Sequence, residues 1–132
     1  MKLHFFLFVH LEGSVALPAS KSISNRVLII NALCEKKGIL NNRAICDDTT
    51  VLSNALRLES TTIDIGAAGT AMRFLTAYLA IKPGTWILTG SERMKNRPIK
   101  ILVDALTRIG AKITYLEKEG FPPLQIVGTH LK

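Results

Sequence analysis

Past Gly13 the chain alternates short runs of β-type residues with longer stretches in which apolar positions return every three or four residues. The spacing predicts a strand over 14–17 and a helix over 22–36 with Ile23, Val27, Ile30 and Cys34 on its apolar face. Gly38 stops that helix, and Ile39 and Leu40 begin another short strand. Asp47, Asp48 and Thr49 read as the capped start of a helix running to about Leu58, because acidic groups suit the positive helix end. A strand over 61–65, a tight turn at Gly66-Ala67-Ala68-Gly69 and a helix over 70–81 follow. After Pro83-Gly84 come a strand over 85–89, a helix opened by Pro98 and closed by Gly110, and two strands over 111–116 and 124–127.

From Thr61 onward the order is β-α-β-α-β-β. The stretch 14–60 reads β-α-β-α and stops short of a final hairpin, so the chain divides into a clipped first unit, 14–60, and a second unit, 61–132. Either the hairpin is naturally short, or a loop is absent from the sequence. The fold class is α/β. Residues 3–11 have the apolar character of a short secretory signal, but His4 and His10 frame them, and cleavage near Ala16 or Ala19 would cut into a polar cluster. The expectation is a buried strand in an N-terminal segment over 1–13 that belongs to the other domain of the fold.

Composition narrows the partners. Across 132 residues, 48% hydrophobic and 20% charged, the apolar share supports a packed core, which excludes a disordered chain. Seventeen Lys and Arg against ten Asp and Glu give +7, favouring an anionic partner: a phosphorylated metabolite, a nucleic acid or a membrane surface. No apolar run reaches the ~20 residues of a spanning helix, so a membrane-integral chain is not expected. Cys34 and Cys46 lack the number and spacing for a zinc site or a disulfide framework and fit half-buried thiols in a reducing cytoplasm. The eight aromatics are scattered through the expected core, Phe74, Tyr78 and Trp86 among them, and offer no base-stacking surface. His4, His10 and His130 have no partner at a telling spacing.

Three helix starts carry polar clusters. In the first, Leu17-Pro18-Ala19-Ser20-Lys21-Ser22-Ile23-Ser24-Asn25-Arg26, helical spacing puts Ser22, Asn25 and Arg26 on one face, beside unpaired backbone N–H groups and the Lys21 ammonium. That combination binds phosphate or carboxylate well. A serine cap with a solvated basic face accounts for it equally. The second, Gly66-Ala67-Ala68-Gly69-Thr70-Ala71-Met72-Arg73, lets a ligand approach the backbone closely but lacks the P-loop ending and the dinucleotide fingerprint. By itself it reads as a tight packing turn. In the third, Gly90-Ser91-Glu92-Arg93-Met94-Lys95-Asn96-Arg97-Pro98, Arg97 stands beside a positive helix end, an unfavourable place for a cation unless an anion lies between them.

Together these segments resemble the 5-enolpyruvylshikimate-3-phosphate synthase family: 17–26, Gly-Thr-Ala-Met-Arg at 69–73, and Leu-Thr-Gly-Ser-Glu-Arg-Met-Lys-Asn-Arg-Pro-Ile at 88–99, continuing through Leu102-Val103-Asp104-Ala105-Leu106 and Gly110-Ala111-Lys112-Ile113. The resemblance runs through nearly everything after Glu12. It implies transfer of an enolpyruvyl group from phosphoenolpyruvate to the 5-hydroxyl of shikimate 3-phosphate, with release of phosphate and no metal or organic cofactor. It also implies an incomplete inside-out α/β barrel of β-α-β-α-β-β units, with helix starts facing the cleft between two domains. By the same resemblance Lys21 touches both substrates and serves catalysis, Ser22 and Arg26 hold shikimate 3-phosphate, Gly69 lines the phosphoenolpyruvate and glyphosate pocket, Arg97 grips phosphoenolpyruvate, and Thr70 and Arg73 shape the adjoining wall.

Two positions depart from the family pattern: Ala67 stands where many members carry asparagine, and Phe74 follows Arg73 where proline is usual. The resemblance covers only the early part of a family member. The later serine-serine-glutamine segment, the second-domain arginines and the groups that move protons are absent, so this chain alone is expected not to turn over. Expected with it are a cytoplasmic location, a monomeric complete enzyme, no nucleic-acid or membrane partner, and self-association of the short chain through exposed sheet edges. A competing reading is a non-catalytic basic module that binds phosphorylated ligands or nucleic acid.

Overall fold

The computed structural model describes residues 13–131. The expected N-terminal strand, with His4 and His10, lies outside them.

Helix α1 (Lys21–Leu33) begins where the Ser20 hydroxyl accepts from the Ile23 N–H at 3.4 Å. Helix α2 (Asp47–Arg57) has Cys46 at its cap position and no side-chain cap bond; Asp47 and Asp48 fall inside its first turn, where they complement the helix dipole without capping it. Strand β1 (Thr62–Asp64) leads into α3 (Gly69–Ile81), then β2 (Thr85–Thr89), a short α4 (Glu92–Lys95), α5 (Lys100–Arg108), β3 (Lys112–Tyr115) and β4 (Leu124–Val127). The sheet order is β1-β2-β4-β3, with β1 parallel to β2 and β4 antiparallel to both its neighbours.

Four expectations change. No strand forms over 14–17 or at Ile39 and Leu40; Val15 and Ile39 are 80% and 91% exposed, and among the described residues no strand pairs with these segments. The α5 helix starts at Lys100 and not at Pro98, because α4, unseen in the apolar pattern, intervenes. Cys34 is exposed, not half-buried. The inward face of α1 is also not the one expected: Ile23 and Ile30 are exposed, whereas Ser24, Asn25 and Leu28 are buried. The reason is a polar contact with the approach to α2, where the Ser24 hydroxyl accepts from the Ala44 N–H at 2.9 Å. Asn25, at helical spacing from Ser22 and Arg26, is buried whereas those two are exposed. It is 0% exposed, and its amide has no partner among the described residues.

The core lies between α3 and the sheet. Ala71, Met72, Leu75 and Leu79 of α3 meet Ile63, Leu88, Leu124 and Ile126, all at most 1% exposed. A helix so apolar around its circumference is stable only when covered on several sides, here by the sheet, α2 and α5. That coverage fixes the start of α3, and with it Gly69, against the sheet end.

Candidate active site

Two turns at one end of the sheet are stitched together. After β1, Gly66 takes φ +55°, a left-handed conformation that glycine adopts without strain, and its N–H donates to Asp64 Oδ1 at 2.8 Å. The Gly66 carbonyl accepts from the Ser91 N–H, just past β2, at 3.0 Å. Gly90 permits this approach, since a Cβ there would meet the Gly66 oxygen at 2.5 Å. The Ser91 hydroxyl then accepts from the Met94 N–H, starting α4 and carrying the chain round to Arg97.

As a result Arg97 stands over the first residue of α3. A Cβ on Gly69 would lie 2.5 Å from Arg97 Nη1 and 3.0 Å from its Cζ, so the guanidinium occupies the space that a side chain at 69 would need. Gly69 itself is buried and Arg97 is exposed. Arg73, one turn along α3, folds back to donate from Nη1 to the Gly69 carbonyl at 3.1 Å. Thr70, half-buried, sits between them in the chain. No ion pair engages Arg73 or Arg97 among the described residues.

At the start of α1, Arg26 Nη1 donates to the Ser22 hydroxyl at 2.6 Å and to the Ser22 carbonyl at 3.0 Å, so these two expected ligands form one unit. Lys21 Nζ lies 3.0 Å from Asp48 Oδ2 in the first turn of α2. That hydrogen bond, with the carboxylate charge behind it, raises the Lys21 pKa above the ordinary lysine value and keeps the ammonium charged. Asp48, expected only as a helix-start residue, thus holds the expected catalytic lysine; nothing in the local sequence signals a pairing across 27 positions.

The helices share a direction. A cavity of about 620 Å³ is lined by Asn31 of α1, Leu56 and Arg57 of α2 and Tyr78 of α3, all from the later halves of their helices. With Lys21 and Asp48 paired at the opposite ends, the starts of α1, α2 and α3 lie at the end of the bundle away from that cavity. The contacts thus bring Ser22 together with Arg26 at the start of α1, and Gly69 together with Arg73 and Arg97 at the start of α3.

The profile of the family described as EPSP synthase (3-phosphoshikimate 1-carboxyvinyltransferase) matches residues 8–58 and 57–132. The chain belongs to the EPSP synthase family. A 3-phosphoshikimate 1-carboxyvinyltransferase of Bacteroides fragilis is 56% identical over 121 residues, covering 92% of this chain and 30% of the relative. One from Sulfurovum is 45% identical over 149 residues, covering 93% and 35%. The chain thus spans about a third of the length of the curated relatives it matches. The EPSP synthase of Acinetobacter baumannii superposes with a TM-score of 0.82 over 91% of this chain and 33% of its own, and at 23% identity it shares the fold. The Sulfurovum alignment is longer than the 132-residue chain, so part of it faces no residue here, and the two profile segments meet at Arg57 and Leu58. The Bacteroides alignment is no longer than the stretch it covers, so that EPSP synthase shares the short connection after α2.

Proposed function

We propose that this chain supplies one wall of the site in which an enolpyruvyl group passes from phosphoenolpyruvate to the 5-hydroxyl of shikimate 3-phosphate. The enol methylene carbon takes a proton while the hydroxyl, giving up its own proton, attacks the neighbouring carbon. The tetrahedral intermediate then loses phosphate together with a proton from the new methyl group, which restores the enol double bond. Both substrates are multiply anionic, so the work of this wall is charge placement. Arg97 and Lys21 neutralise phosphate and carboxylate charge, Ser22 and Arg26 hold the acceptor, and Gly69, Thr70 and Arg73 form the adjoining surface. No cofactor is needed. The observation that carries this reading is the Arg97 guanidinium, without a carboxylate partner among the described residues, lying against a residue that has no side chain.

Proton transfer and the opposite wall belong to the remainder of the enzyme, so the 132 residues alone bind substrate weakly and do not turn over. The division into a segment 1–13, a shortened first unit 14–60 and a second unit 61–132 goes with this reading, as does a cytoplasmic location. Among the described residues no helix is long and apolar enough to cross a membrane.

The test joins this chain to the rest of the Bacteroides fragilis enzyme in place of the matching residues and measures phosphate release. The chimaera is expected to turn over. Arg97→Ala should lower kcat/KM for phosphoenolpyruvate by about 10²-fold, the size of a lost charge-assisted contact, while its thermal midpoint stays close to the parent's. An equal loss of activity and stability would make Arg97 structural, and steep salt-dependent oligonucleotide binding without turnover would favour a nucleic-acid module.

A further inference from the structure

Arg93, Lys95, Arg97 and Lys100 lie close together in sequence, and the turn that carries Arg97 joins two short helices. Such a run repels itself, and a free turn would not hold a guanidinium in one place. A distant loop acts on both problems. The β3–β4 connection, 116–123, folds back over the α4–α5 junction: Glu117 Oε1 accepts from Lys95 Nζ at 3.1 Å, Glu119 Oε1 accepts from Lys100 Nζ at 2.7 Å, and between them the Gly120 carbonyl accepts from the Ile99 N–H at 2.9 Å. Gly120 is buried with φ +89°, which lets its carbonyl turn toward Ile99. Glu92 and Asp104 also lie 3.4 and 3.6 Å from these lysines, but as neighbours within their own helices they cannot tie the turn to the sheet.

The three bonds from this loop fall on residues 95, 99 and 100, on either side of Arg97. No such bond reaches Arg97 itself, whose guanidinium is left facing Gly69. We propose that the β3–β4 loop is the positioning element of the anion site, with Glu117 and Glu119, acting through Lys95 and Lys100, holding the 96–99 turn so that Arg97 stays over Gly69. The proposal rests on the reading of Arg97 as an anion grip.

The experiment follows the Arg97 Nε–H signal of the 132-residue chain by NMR, with inorganic phosphate as the probe ligand. In the parent chain the Arg97 heteronuclear NOE should be that of an ordered side chain, well above that of Arg93. In Glu117→Gln/Glu119→Gln it should fall toward the Arg93 value, and the phosphate dissociation constant should rise about two- to fivefold, as expected for two exposed ion pairs. Glu92→Gln should leave both readings unchanged, and Lys95→Arg/Lys100→Arg, which keeps the pairs, should resemble the parent. An Arg97 signal as mobile as Arg93 in the parent, or unmoved in a double variant whose β2 and β4 amides remain native, would overturn the proposal. If the double variant loses its sheet signals, the single variants are read by the same criterion, and no response in either overturns it. Arg97→Ala separates the two claims: unchanged phosphate affinity in that variant removes the grip reading, while the NOE still judges the positioning.

Discussion

A methyl group at position 69 would stand 2.5 Å from Arg97 Nη1, so the identity of this one residue governs where the guanidinium rests. Because the atoms it meets are the far end of a flexible side chain, Gly69→Ala should move Arg97 and leave the fold intact. In the chimaera it should raise KM for phosphoenolpyruvate and reduce glyphosate inhibition with a nearly unchanged melting midpoint; unaltered KM and inhibition together would contradict the pocket assignment. The Lys21–Asp48 pair makes a second prediction at this scale. Lys21 is raised above its ordinary 10.5, so the stability it contributes is fully present below that value and is lost as pH rises through the raised one. Glu119 behaves oppositely: bonded to Lys100, it is lowered from its ordinary 4.5, and its contribution is lost as pH falls through the lowered value. Asp48→Asn should therefore bring the Lys21 titration, followed by side-chain NMR, down toward 10.5. Titration of Lys21 at the same pH in the variant would show that Asp48 is not its partner.

Elements differ in how far local sequence can specify them. The strands β2 and β4 occupy the predicted residues, since each alternates cleanly and pairs with a strand inside the chain. Strands at 14–17 and 39–40 carry similar residues but lack a neighbour among those described, and a strand is completed only by its hydrogen-bonding partner. Likewise the buried face of α1 is set by the Ser24–Ala44 bond, a tertiary contact that outweighs its apolar periodicity. The short α4 escapes an apolar pattern because only Met94 in it is buried; its signal is Ser91, the capping hydroxyl. Caps and core should give separable costs. Ser20→Ala should destabilise by about 1 kcal/mol, whereas Leu75→Ala, at a fully buried position of α3, should cost about 2–5 kcal/mol in denaturant titration. Equal effects would mean that α3 does not organise the core.

At the scale of the whole molecule, the resemblance of three separated segments made the candidate residues legible, but the meeting of Gly69 with Arg97 is a property of topology. Parallel β1 and β2, bridged by α3, bring the Gly66 and Gly90 turns to one sheet end, and the stitch between those turns sets Arg97 against Gly69. Asp48, Glu117 and Glu119 escaped the sequence because each meets its lysine across a long stretch of chain, where periodicity carries no information. The most direct test of this convergence is an amide NMR titration of the 132-residue chain with phosphoenolpyruvate and shikimate 3-phosphate. Shifts clustered at 20–26, 66–73 and 91–99, rising together with ligand and suppressed by Arg97→Ala, are the predicted result. Shifts confined instead to the cavity at the far helix ends, around Asn31, Leu56 and Tyr78, would contradict it.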